Sequence, residues 1–207
     1  ETALADGTTE NFGEAETILI RPALHFFPSE NFDILLRYEH GEFEGDGPAG
    51  QNHTNGLGQS NPFFSPSRQS FQFSIDEPGF ADSEWDQVFV EANLDISFGD
   101  GTITNVFGWR DFESSNLSDI DATPLFLFHA GSTLKQDQFS NEIRYNGRFF
   151  DKLDVTTGLY YFNQDIIYDE DRFLLGGAAL QNGGGVQDQR TFGAFLNFDF
   201  DITDSIT

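Results

Sequence analysis

From Val88 to Phe98 every second residue is apolar: Val88, Val90, Ala92, Leu94, Ile96 and Phe98. The intervening positions are Phe89, Glu91, Asn93, Asp95 and Ser97, polar at all but the first. Only an extended chain puts such a set on one face, so the run predicts a β-strand. A soluble strand typically has about five or six residues, and one that crosses a membrane about nine to eleven. Asp100-Gly101 then predicts a tight primed turn, whose central positions both take positive φ. The chain returns through Trp109. Residues 85–109 therefore read as a long β-hairpin with Trp85 and Trp109 near its outer ends, as in a membrane hairpin.

Composition narrows the classes. Ten Lys+Arg against 35 Asp+Glu give a net charge of -25, which argues against nucleic acid, whose phosphates would be repelled. A chain with 25 Phe is too aromatic for acidic disorder. The absence of Cys excludes disulfides and Cys-ligated metal. No apolar run approaches the roughly 18 residues of a transmembrane helix. An acidic chain rich in Phe and Gly fits a transmembrane β-barrel, in which only alternate residues meet lipid. The chain carries no signal peptide and no Met, and reads as a mature or internal piece.

Further strands are expected at 16–27, weakened by Pro22, and at 32–43, 135–146, 152–165 and 189–201. Long loops are expected at about 44–84, 114–134 and 166–188, the last containing Gly183-Gly184-Gly185. Long connections then alternate with short turns, the habit of an up-and-down membrane barrel with long extracellular loops and short periplasmic turns. The expected fold is all-β, an antiparallel up-and-down transmembrane β-barrel wall. Residues 1–207 form a partial barrel domain of about seven strands, cut from a larger barrel because bacterial barrels usually have an even number.

Several segments resemble TonB-dependent outer-membrane receptors. Gln138-Phe139-Ser140-Asn141-Glu142-Ile143-Arg144-Tyr145, a short turn, and the strand from Leu153 to Phe162 are similar to their mid-barrel hairpin. Thr102 to Phe112, ending Gly108-Trp109-Arg110-Asp111-Phe112, resembles the preceding strand. Arg21 to Phe32 and Thr191 to Thr207 are similar as well. The resemblance implies a 22-stranded barrel in the bacterial outer membrane and a plug domain and TonB box that this sequence does not contain. It also implies TonB-driven import of a scarce nutrient, most often a ferric siderophore. The implied partners are lipid and lipopolysaccharide, the plug, TonB and the cargo.

Arg21, Arg37, Arg110 and Arg144 all fall in strands. Arg37 and Arg144 share the polar parity with Glu39 and Glu142, so the four are candidate lumen-facing or ligand-binding residues. The plainer account is a cross-strand charge ladder. Trp85, Trp109, Phe149, Phe150 and Tyr161 are expected in the interfacial aromatic girdle rather than on a ligand path. The four His show no metal-ligand spacing, and no metal, cofactor, phosphate loop or catalytic constellation is expected. Acidic loop residues such as Asp119 and Asp169 could recruit cations that bridge to lipopolysaccharide. Two other readings stay open. One is a passive porin or small barrel. The other is a soluble all-β binding or adhesion domain, which requires a core closed between two sheets.

Overall fold

The computed structural model describes residues 2–4, 9–10, 12–53, 69 and 73–202. Strands β1 (Thr2–Leu4) and β2 (Thr9–Glu10) pair antiparallel, and β1 also pairs with β6 (Ser74–Ile75). The rest is one wall. It contains β3 (Ala15–Ile20), β4 (Ala23–Ser29), β5 (Phe32–Asp46), β7 (Phe80–Ile96), β8 (Gly101–Asp119), β9 (Phe128–Phe149), β10 (Leu153–Leu174) and β11 (Ala179–Phe200). They form an eight-stranded antiparallel sheet in the order β11-β10-β9-β8-β7-β5-β3, with β4 also on β5. The sheet is open, because β3 and β11 do not pair. Strands β3 and β4 lie end to end along β5, and the break falls at Arg21-Pro22, where proline offers no N–H to the ladder.

Because opposite residues share a face, the pairing separates the wall into two sides. On one side the rows read Leu36–Val90–Phe107–Asn141–Tyr161–Phe192 and Ile34–Ala92–Asn105–Ile143–Leu159–Ala194. Asn105 and Asn141 interrupt this apolar band, but each amide bonds the other and a backbone carbonyl at 3.0–3.3 Å, so neither leaves a donor unmet. From Val88 to Ile96 the band extends about 26 Å along the strand, at roughly 3.3 Å per residue. Its far edge is a row of acids in register, Asp86–Asp111–Asp137–Asp165–Asp188, with His40 at its end.

Exposure follows the same division. Leu24, Phe26, Leu36, Leu94, Ile143, Leu159, Phe192, Leu196 and Phe198 are large, exposed and on the apolar side. Alongside the band and the groove, the buried polar residues of the wall are Glu39 and Thr104 on the other side; Asp119 and His129, at the far ends of β8 and β9, are buried on the band's own side. Among the described residues the one buried apolar side chain is Ile75, so no core closed between two sheets is present there.

The connections depart from expectation in three places. Strand β8 continues to Asp119 and β9 starts at Phe128, so the loop expected at 114–134 is 120–127. Strands β10 and β11 run 22 residues each, reducing 166–188 to a turn at 175–178. Both differences have one cause: beyond the apolar band neither face is consistently apolar, so alternation stops, while the backbone ladder and polar cross-strand pairs such as Asn116–Ser132 and Lys135–Glu113 continue the strands. The third departure is the hairpin turn. Positive φ falls on Gly99 (64°) and Asp100 (40°), while Gly101 is extended and begins β8. The turn between β9 and β10 also takes positive φ, at Phe150 and Asp151 (both 56°), without glycine.

Candidate functional site

The side opposite the apolar band carries one unbroken polar row, Glu39–Gln87–Arg110–Gln138–Gln164–Gln189. The next row toward the short turns is Arg37–Phe89–Gly108–Ser140–Phe162–Thr191. Gly108 carries no side chain, and it lines, with Gln138, a groove of about 440 Å³. Arg21, Arg37, Glu39, Gln87, Phe89 and Arg110 also line it.

Glu39 is only 7% exposed and spends its acceptor capacity inside the wall. It accepts from Trp85 Nε1 at 2.9 Å and Gln87 Nε2 at 2.7 Å, and it pairs with Arg21. Pro22 ends the ladder beside Arg21, and the Arg21 side chain crosses to β5. Trp85 lies over Gly41, where an added Cβ would stand 2.1 Å from the indole. Gly41 thus leaves the space that lets Trp85 reach Glu39.

Arg37 and Arg110 have no carboxylate partner among the described residues. Arg37 lies over Phe89 with Cζ 5.6 Å from the ring centroid, and Arg110 over Phe112 at 4.8 Å. Arg110 Nε is buried without a hydrogen-bond partner. Three guanidiniums and one carboxylate leave the groove with two uncompensated positive charges in a chain of net charge -25.

Arg37 and Glu39, expected as site residues, are brought together here. Glu142 and Arg144 are on the same side but pair with each other at 3.5 Å on β9. They lie three strands from β5, about 14 Å across the sheet. Arg110, Gln87 and Gln138 join the groove through register. The polar parity pointed to them, but only the pairing of β7, β8 and β9 puts them beside Arg37. Of the expected girdle, Trp109, Tyr161 and Phe149 lie on the apolar side, and Phe150 is 91% exposed in its turn. Trp85 does not: it is on the groove side, one residue out of phase with Val88, and its indole N–H goes to Glu39.

No family model, curated protein or solved structure matches the chain.

Two further donor sets arise from contacts that spacing along the chain does not show. His129 Nε2 meets Asp76 Oδ1 at 3.0 Å with Asp119 beside them, and His40 lies with Glu42 and Glu84. Each set has the N and O donors of a divalent-cation site. Asp119 is 7% exposed, and its pKa is pushed up to about 6. Burial is the main cause. Asp121 and Asp76 add to it, and the Ala122 N–H, 2.8 Å from Oδ1, opposes it.

Proposed function

We propose that this chain is wall of an outer-membrane β-barrel of the TonB-dependent receptor type, importing a scarce nutrient such as a ferric siderophore. The observation that carries the reading is the concentration of large exposed apolar side chains on one side from β4 across to β11, with Phe195 and Tyr168 as exceptions on the other. Lipid is the partner that such a band fits, since charges there would cost about 2–4 kcal/mol each at midplane. The nine residues of the band from Val88 to Ile96 fall at the lower end of the roughly nine to eleven that a tilted membrane-spanning strand needs. The opposite side then faces the lumen, with the arginine groove in its wall. Strands of up to 22 residues continue past the band on the side away from the short turns, as extracellular extensions do. The acidic row at the band's edge falls at headgroup level, where divalent cations can bridge it to lipopolysaccharide phosphates.

The choice of a TonB-coupled receptor over a passive barrel rests on the sequence resemblance. The test is made on the full-length protein in its own cells. Fractionation should recover it in the outer membrane, and uptake of a labelled ferric chelate should stop both when it is deleted and when TonB is removed. Uptake that survives loss of TonB favours a passive barrel. Recovery in the soluble fraction overturns both.

A further inference from the structure

We infer that the groove lined by Arg21, Arg37 and Arg110 is a subsite for an oxyanion, a carboxylate or phosphate group on the imported solute. The inference rests on the proposed receptor reading for the statement that the groove faces the lumen. The recognition chemistry rests on the groove alone.

The cationic groups are all guanidiniums, which bind planar carboxylate and phosphate oxygens through paired N–H donors. The groove's one acid is already used. Glu39 holds Arg21, Trp85 and Gln87, so it compensates one guanidinium and leaves the other two. A purely structural charge ladder would pair Arg37 and Arg110 across strands. Instead their cross-strand neighbours are Ala23 and Phe89 opposite Arg37, and Gln87 and Gln138 opposite Arg110. Phe89 and Phe112 support the guanidinium planes without neutralising them, an arrangement that holds the charge in place for another partner. The Nε of Arg110 is buried without a partner, but so is that of the paired Arg144, so what distinguishes Arg110 is its uncompensated charge. The Gln138 amide offers further N–H groups at the same level. About 440 Å³ accommodates a small solute bearing one to three such groups.

The contrast with the rest of the same side is sharp. Arg144 has Glu142, Arg148 has Asp154 and Asp201, and Arg172 has Glu170. The uncompensated pair occurs in the groove.

The experiment is calorimetric titration of the full-length protein in detergent micelles with three probes: citrate, inorganic phosphate and the neutral sugar raffinose. Citrate, phosphate or both should bind, and raffinose should not. Arg37→Gln and Arg110→Gln should each weaken that binding at least tenfold. Arg190→Gln, on the apolar side, should leave it unchanged. Binding by citrate alone assigns the subsite to carboxylates, and binding by phosphate alone to phosphoryl groups. Each variant is first checked for the wild-type shift in gel mobility on heating, so a lost barrel is not read as lost binding. Absence of anion binding, or anion binding indifferent to Arg37 and Arg110, overturns the inference. If the protein nonetheless fractionates with the outer membrane, the receptor reading survives that failure. If it does not, the receptor reading falls whatever the titration shows.

Discussion

Asp119 offers a quantitative test of the junction between β8 and β9. Its carboxyl ends β8, is 7% exposed, and accepts the Ala122 N–H at 2.8 Å and the Asp76 N–H at 3.4 Å. Its pKa rises from 3.8 to about 6, mainly through burial. The sign follows by linkage. The folded junction holds a proton that the opened chain releases near pH 4. The group therefore costs nothing below about pH 4, becomes destabilising between about 4 and 6, and carries its full penalty above 6. A displacement of roughly two in pKa corresponds to about 3 kcal/mol. Asp119→Asn keeps an acceptor for Ala122 and removes the titration. The assay is hydrogen exchange at the Ala122 amide between pH 4 and 7, corrected for the intrinsic exchange rate. EDTA is present, so that no divalent cation on Asp76, Asp119 and His129 masks the charge. In the wild type the opening free energy should fall by about 3 kcal/mol over this range. In the variant it should stay flat and exceed the wild-type value at pH 7. A variant as pH-dependent as the wild type would refute the assignment to Asp119.

Other consequences are as direct. Leu159→Arg, on the apolar side, should destabilise the protein in phospholipid vesicles by about 2–4 kcal/mol. Gln164→Arg, on the opposite side of the same strand, should cost under about 1 kcal/mol. Equal effects in reversible urea unfolding would contradict the assignment of faces. Glu39→Gln should lower stability by roughly 1–2 kcal/mol, through loss of the charge-assisted bonds to Arg21, Trp85 and Gln87, yet tighten citrate binding because the groove gains a positive charge. Weaker citrate binding in that variant would argue that Glu39 does more than hold the wall. Phe150→Asn should raise the urea midpoint by about 1 kcal/mol in stability terms, since Phe150 sits at φ 56° while 91% exposed, and asparagine tolerates that backbone better.

The legible part of the fold is the part where the two faces differ. Val88 to Ile96 alternates because one side is apolar and the other polar, and that parity alone places Arg37, Glu39, Glu142 and Arg144 on one side. The strand ends were illegible for the same physical reason. At Ser114-Ser115-Asn116 and Gly183-Gly184-Gly185 no face is apolar, so the residues read as loop although each is paired with a residue on a neighbouring strand. Asp100-Gly101 misled because the turn chemistry fits equally one residue earlier, at Gly99-Asp100. The groove was half legible. Its parity was visible, but a register slip of two would put Gly108 or Phe112 where Arg110 stands, and nothing local distinguishes these alternatives.

Charge sorting between the two sides reconciles the proposed anionic cargo with a chain of net charge -25. Past the groove, toward the long strand ends, the acids of the wall lie on the apolar-band side. Glu42, Glu84 and Glu113 follow Asp86, Asp111 and Asp137 there, row upon row. Over the same stretch of the groove side, the paired positions are residues such as Trp85, Phe112, Gln136, Ser83, Ser114 and Leu134. The carboxylate on that side, Glu170, is held by Arg172 at 2.7 Å. The net charge therefore misdescribes what a solute in the proposed lumen would meet. It would travel along a nearly neutral strip that ends at two uncompensated guanidiniums, with most of the negative charge behind the sheet. At physiological salt the screening length is about 8 Å. Sheet thickness and ions together would mute the outer acids, while the arginines act at contact distance. In the proposed receptor, the same division would let the outer surface stay acidic for cation-bridged contact with lipopolysaccharide without closing the lumen to anions.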